Sequence, residues 1–263
     1  NLISNELIID GIESITVSKT KDTYIYPNVG NVIINKNRNI NFNGWIVCGK
    51  LETKTLVSNY NYKSHLFNID KCLYTSFRVN PLKKEHGEKR ILLKSHLSEV
   101  KGKLYVGDSI NRSKSLIDTI DFFPKLIIPK KTYVYYNKIL KGSYDSSRFY
   151  YEINPFTINN LQNFDEKAFL LKGKLISAGI FPEIDMPLKI MNDYSLGFIV
   201  NAPENGYDFY GNDAKYNNKI ALSNNGLQGS GTINFIESTS KSNIFTFLPD
   251  STIGYAIFQN KAK

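Results

Sequence analysis

The chain has 263 residues, 41% of them hydrophobic and 22% charged, and a formal net charge of +9. That length and apolar content can bury a sizeable core, which excludes a disordered tail, a collagen-like fibre and a disulfide-stapled miniprotein. No apolar run approaches the roughly 20 residues a membrane-spanning helix needs, and the basic excess reads as a solvated Lys- and Asn-rich surface with no nucleic-acid motif.

In chain order, the first strand signal is Thr23-Tyr24-Ile25-Tyr26, closed by Pro27, and residues 39–43 alternate polar and apolar in the same way. Cys48 and Cys72 fall inside apolar strand-like runs, so two free thiols are expected rather than a bridge or a metal pair. Trp45, the only tryptophan, follows Gly44 within a strand and is expected in the core. Residues 83–90 mix Lys, Arg and two Glu residues between strand-like runs, as a hairpin tip would. Residues 132–136 and 148–153 alternate with period two, as do residues 243–248, closed by Pro249. Short segments rich in aromatic and β-branched residues, bounded by Gly, Pro, Asn and Asp, mark an all-β chain. Helical periodicity is confined to residues 115–120 and 159–168, too short to form a layer.

One pattern recurs: apolar, any, Gly, any, apolar, in residues 42–49, 100–107, 171–179 and, more weakly, 227–233. A strand glycine marks a bend, a bulge or a close backbone approach. Stacked coils need such corners, although the irregular spacing does not make a strict repeat. The expected fold is therefore all-β, with many short strands in an elongated β-solenoid, β-helix-like or groove architecture; a β-sandwich is the alternative. The chain is expected to be one β-rich unit over 1–263, with a possible subdivision near 141–145.

Chemistry is sparsely signalled. His65, His86 and His96 lack metal-ligand spacing, and neither a nucleophile elbow nor a phosphate-cradling glycine loop occurs. No cofactor is expected. Glu183 and Asp185, in Phe181-Pro182-Glu183-Ile184-Asp185, would share a face if extended and are the candidate catalytic carboxylates of a glycoside-cleaving enzyme. Asp208, Asn212 and Asp213 are candidate calcium ligands, although they do not fit the helix-loop-helix calcium pattern. Residues 203–219 combine turn residues with aromatics and read as a long loop. Tyr207, Phe209, Tyr210 and Tyr216 on it are the candidate ligand-binding residues, a platform on which sugar rings would stack.

Three stretches, residues 148–158, 173–198 and 222–231, resemble segments of very large β-rich cell-envelope proteins of Bacteroidetes type, and the similarity runs from about residue 20 onward. The resemblance implies an extracytoplasmic location (cell envelope, surface or secreted) and a piece of a longer polypeptide; the start at Asn1 with no leader reads as a processed product or a piece cut from something longer. It carries over no functional residues. Cys48 stands where a small residue is expected, which argues against a structural disulfide. The function expected is a non-catalytic structural or binding segment of a large extracytoplasmic protein. Polysaccharide, other envelope proteins and the flanking parts of a longer chain are the expected partners; nucleic acid and a membrane-spanning segment are not. A carbohydrate-active enzyme on a β scaffold and a periplasmic lipid-conducting β-groove are the alternatives.

Overall fold

The computed structural model describes residues 6–28, 30–82, 89–107, 122–211 and 214–260. Among these residues the chain is all-β, and its one helical element is a 3-10 turn at Leu140–Gly142. The strands are β1 (Glu6–Ile9), β2 (Ile15–Ser18), β3 (Thr23–Pro27), β4 (Val32–Asn35), β5 (Ile40–Cys48), β6 (Leu51–Asn61), β7 (Leu66–Val79), β8 (Ile91–Leu92), β9 (Gly102–Tyr105) and β10 (Lys125–Ile128). There follow β11 (Thr132–Tyr135), β12 (Phe149–Ile153), β13 (Phe156–Ile158), β14 (Gly173–Ser177), β15 (Ile184–Asp185), β16 (Lys189–Ile190) and β17 (Leu196–Asn201). The last are β18 (Tyr207–Phe209), β19 (Ala214–Ser223), β20 (Gly226–Phe235), β21 (Ser238–Leu248), β22 (Ser251–Gly254) and β23 (Ile257–Asn260).

The chain divides into two compact units, residues 1–132 with 154–169, and residues 133–153 with 170–263. The interruption read at 141–145 lies inside the second unit. The first unit is one sheet in the order β1–β4–β5–β6–β7–β9–β10–β13, with β3 also on β5, β2 on β3 and β8 on β7. The second has a four-stranded sheet, β11–β12–β14–β15, and an eight-stranded one, β16–β17–β19–β20–β21–β22, with β18 on β19 and β23 on β21. The β5–β6–β7 and β19–β20–β21 meanders are antiparallel, as tight hairpins such as Gly49-Lys50 require. A β-helix stacks its coils through parallel ladders, and among the described residues the registered ladders are antiparallel.

The recurring glycines mark close approaches rather than coils. At Gly44, φ is +141° and a Cβ would stand 2.2 Å from the Tyr26 carbonyl oxygen; at Gly173 it would stand 2.0 Å from that of Glu152. Gly44 also sits at a register shift between β5 and β6, so an added side chain would separate β3 from β5.

Beneath the centre of the first sheet lie Ile25, Ile46, Thr53, Thr75 and Leu97, each at most 1% exposed. The two threonine hydroxyls satisfy each other at 2.7 Å. Residues 159–168, read as helical, form a turn instead. Their backbone groups bond outward: Leu161 N–H donates to the Pro124 carbonyl at 2.9 Å, and the Leu161 carbonyl accepts from Lys50 N–H at 2.8 Å. This turn also brings Glu166 to the buried Lys50 ammonium, which donates to it at 2.5 Å and to the Phe164 carbonyl at 2.9 Å. Burial opposes the Glu166 charge, but the Lys50 ammonium and the Asn80 N–H outweigh it and hold the carboxyl below its usual value. Residues 115–120, the other helical reading, lie outside the described residues.

In the second unit the inward faces of the two sheets meet through tyrosines. Tyr136 donates to the Leu196 carbonyl at 2.9 Å, and Tyr144, stacked on Phe149, donates to that of Phe247 at 2.7 Å while accepting from Leu227 N–H. Each buried hydroxyl thus keeps a partner, and the rings fill the interior.

Candidate functional site

The aromatic loop expected at 203–219 is largely a hairpin. β18 pairs with the start of β19, Tyr207 opposite Tyr216, Asp208 opposite Lys215 and Phe209 opposite Ala214. Period two then sends Tyr207, Phe209 and Tyr216 to one side and Asp208 and Lys215 to the other. Phe209 and Tyr216 are 4% and 0% exposed and pack with Phe181 and Phe247. Tyr207 is half-buried against Phe181. The Tyr210 hydroxyl lies within 2.6 Å of the Ser251 carbonyl, inside the same unit. Phe209 and Tyr216 are thus core and Tyr207 and Tyr210 are half-buried beside them, so the four do not stand together on one exposed loop.

The carboxylate candidates lie at a sheet edge. Asp185 on β15 opposes Lys174 on β14, and Glu183 forms an exposed ion pair with Lys174 at 2.7 Å. Both carboxylates are exposed. A general acid needs a desolvated environment to hold its proton at neutral pH, and an exposed edge provides none. Of the calcium candidates, Asp208 is ion-paired with Lys215, and Asn212 and Asp213 lie outside the described residues. Among the described residues no group of three His, Cys, Asp or Glu side chains could hold a metal ion, and no helix is long and apolar enough to cross a membrane.

Both cysteines are free thiols. Cys48 is buried beside the Thr23 hydroxyl, and burial pushes its pKa up to about 12. A neutral buried thiol of this kind is inert.

Trp45 is the residue whose placement changes most. It was expected in the core, yet it stands on the outward face of β5, because Ile46 and Cys48 take the inward positions. Register then builds a row. Tyr26 on β3 is opposite Trp45, Trp45 is opposite Lys54 on β6, and Lys54 is opposite Tyr74 on β7. The row crosses adjacent strands at one level and spans about 14 Å at the usual strand spacing. His96 extends it, its ring 5.1 Å from that of Tyr74. Trp45 and Tyr74 rings stand edge to face at 5.6 Å, and the Lys54 ammonium lies over Trp45 at 5.5 Å from the ring centre. Tyr26 is 41% exposed, and Trp45, Lys54, Tyr74 and His96 are half-buried.

Beside the row, Arg78 and Glu52 form an ion pair that cancels their charges, leaving Lys54 as the cation within it. Burial and the neighbouring Glu52 raise the Tyr74 pKa, so its hydroxyl stays neutral and can both donate and accept. Flat rings in register, with a hydroxyl and an ammonium between them, can hold an extended ligand by apolar contact and hydrogen bonding at once. The sequence signal for this row existed: Tyr24 and Tyr26 alternate with Ile25. Nothing local, however, shows that Tyr26, Trp45 and Tyr74 align.

No protein-family model, curated protein or solved structure matches the chain.

Proposed function

We propose that the chain is a non-catalytic binding segment of a large extracytoplasmic protein, resembling the cell-envelope proteins of Bacteroidetes type, and that the Tyr26–Trp45–Lys54–Tyr74 row holds an extended polysaccharide. The observation that carries this reading is the row itself: half-exposed aromatic side chains brought level by register on one outward sheet face, with Lys54 between them. Pyranose rings present an apolar C–H face flanked by hydroxyls, which matches ring faces interleaved with Lys54 and the Tyr74 hydroxyl. Face-to-face packing of sheets in the second unit supports the β-sandwich form of the fold over the solenoid or groove. A rigid sheet face suits binding, because it is pre-organised and loses little freedom when a ligand docks.

Trp45 is the only tryptophan, so the intrinsic fluorescence reports the row directly. Titration with neutral soluble polysaccharides should shift or quench Trp45 emission for at least one glycan class. Tyr26→Ala and Tyr74→Ala should each weaken that binding about 5- to 50-fold, the range expected for truncating an aromatic contact. Binding that leaves the emission unchanged, or that survives both substitutions, would remove the row from the reading. An extracytoplasmic location predicts that protease added to intact cells cleaves the full-length protein.

A further inference from the structure

The eight-stranded sheet of the second unit ends in an open strand. β22 and β23 both pair with β21 on one side, and among the described residues no strand pairs with their other side. With Tyr255 and Ala256 between them they form one edge, residues 251–260. The extra residue at the break belongs to β21, which has three residues, Ser242 to Ile244, where the edge has two. The edge strand therefore alternates without interruption. The Ser242 hydroxyl closes the gap by donating to the Tyr255 carbonyl at 2.7 Å. Phe245 and Phe247 on β21 face the core, so Ile253, opposite Thr246, stands on the outward face with Tyr255 and Ile257. Tyr255 is fully exposed, and Ile253 and Ile257 are 62% and 70% exposed.

Sheet edges are normally kept short or charged, because bare backbone groups invite another strand. The edge strands β1, β15, β16 and β18 carry Glu6, Asp185, Lys189 and Asp208. The uncharged edge strands β2, β8, β11 and β13 are four residues or shorter. Residues 251–260 are longer and contain no charge. Their order is also nearly symmetric about Tyr255, which is flanked by Gly254 and Ala256 and then by Ile253 and Ile257. A second copy turned about a two-fold axis at Tyr255 sets each Ile253 opposite an Ile257, each Gly254 opposite an Ala256, and the two Tyr255 rings opposite each other. Backbone polarity agrees. The Tyr255 carbonyl points to β21, so alternation aims the N–H and C=O groups of Gly254 and Ala256 outward, where two copies can exchange them. Tyr255 then takes the closer, non-hydrogen-bonded position. Asp250 in the β21–β22 turn and Lys241, opposite Ile257, border the apolar row. The axis places the two Asp250 residues at opposite ends and the two Lys241 residues three strand spacings apart, at least about 14 Å.

We propose that the β22–β23 edge is a dimer interface, in which two copies of the chain join their eight-stranded sheets through antiparallel residues 251–260 about a two-fold axis at Tyr255. Ile253, Tyr255 and Ile257 of both copies lose their exposure together. The pairing uses the same edge on each copy, so it closes as a dimer and does not propagate. An interface of one strand per copy is small, which sets association in the micromolar range.

The test is sedimentation equilibrium of the full chain across the micromolar range. The wild type should pass from monomer to dimer as concentration rises. Association should hold or strengthen in about 0.5 M salt, because each copy carries +9. Tyr255→Lys should weaken the dimer about 10-fold or more, the scale of like charges opposed in an interface. Tyr255→Glu should do the same, and full exposure of the ring means that neither substitution perturbs the fold. An equimolar mixture of these two variants should associate about 10-fold more tightly than either alone, since the axis sets position 255 against itself. Leu7→Lys, on the exposed β1 edge of the first unit, should leave the dimer unchanged. A wild type that stays monomeric throughout overturns the proposal and leaves the edge to an extended segment of another protein. A mixture no tighter than its components overturns the two-fold register. Loss of association in Leu7→Lys moves the interface to the first unit, and species larger than a dimer overturn closure.

Discussion

Trp45 and Phe209 are large aromatic side chains on paired strands, and they end on opposite sides of their sheets. Trp45 faces outward because Ile46 and Cys48 claim the interior beside it, and Phe209 faces inward because Asp208 and its partner Lys215 claim the solvent. Side-chain type therefore did not decide exposure in either unit; strand parity did. A strand gives its residues two faces and no third choice. Where one set contains the charge, as in β18, the other set is buried. Where both sets are apolar, as in Trp45-Ile46-Val47-Cys48, tertiary packing chooses, and it can leave a tryptophan outside.

The sharpest way to break this contrast is to truncate both rings. Phe209→Ala should cost about 3–5 kcal/mol, the usual loss for an aromatic deleted from a packed core. Trp45→Ala should cost about 1 kcal/mol, as for a cross-strand contact on an outward face. Urea unfolding followed by far-ultraviolet circular dichroism measures both, and equal losses would make Trp45 a core residue and remove its surface role. A second probe uses the thiols, which repeat the contrast within the first unit. Cys72 should react with a thiol reagent in the native protein, and Cys48, fully buried, only after unfolding. The Cys48 thiol is held neutral, from an ordinary value of 9.0 up to about 12. Between those values the unfolded chain releases a proton that the folded chain keeps, so stability is intact below pH 9 and falls by roughly 2–4 kcal/mol on the way to pH 12. Cys48→Ala should lessen that alkaline loss. The smallest effect belongs to the solvent side of the β18–β19 hairpin. Asp208→Asn removes an exposed ion pair and should change stability by less than about 1 kcal/mol.

Much of this architecture was legible. Alternation in Thr23–Tyr26, residues 132–136 and 148–153 placed strands β3, β11 and β12, and the scarcity of helical periodicity excluded helical layers. The glycine pattern announced close backbone approaches and gave no means of telling a stacked coil from a hairpin meander. The candidate sites were less legible, for a physical reason. A row such as Tyr26–Trp45–Lys54–Tyr74 draws on residues up to 48 positions apart, and only inter-strand register brings them level. The 207–216 reading went wrong differently. Tyr207, Asp208 and Phe209 already alternated, but the surrounding Gly, Asn and Pro suggested a loop, and a loop does not sort its side chains by face.

The chain leaves the first unit at residue 132, returns at 154 and leaves again after 169, and the returning stretch carries Glu166 to Lys50. A gene cut at residue 132 therefore does not yield a complete first unit. A product ending at residue 132 would lose both the Glu166 carboxylate and the Phe164 ring that lie against the Lys50 ammonium. The same holds on the ribosome, where the N-terminal portion cannot close its interior until some forty residues of downstream polypeptide have emerged.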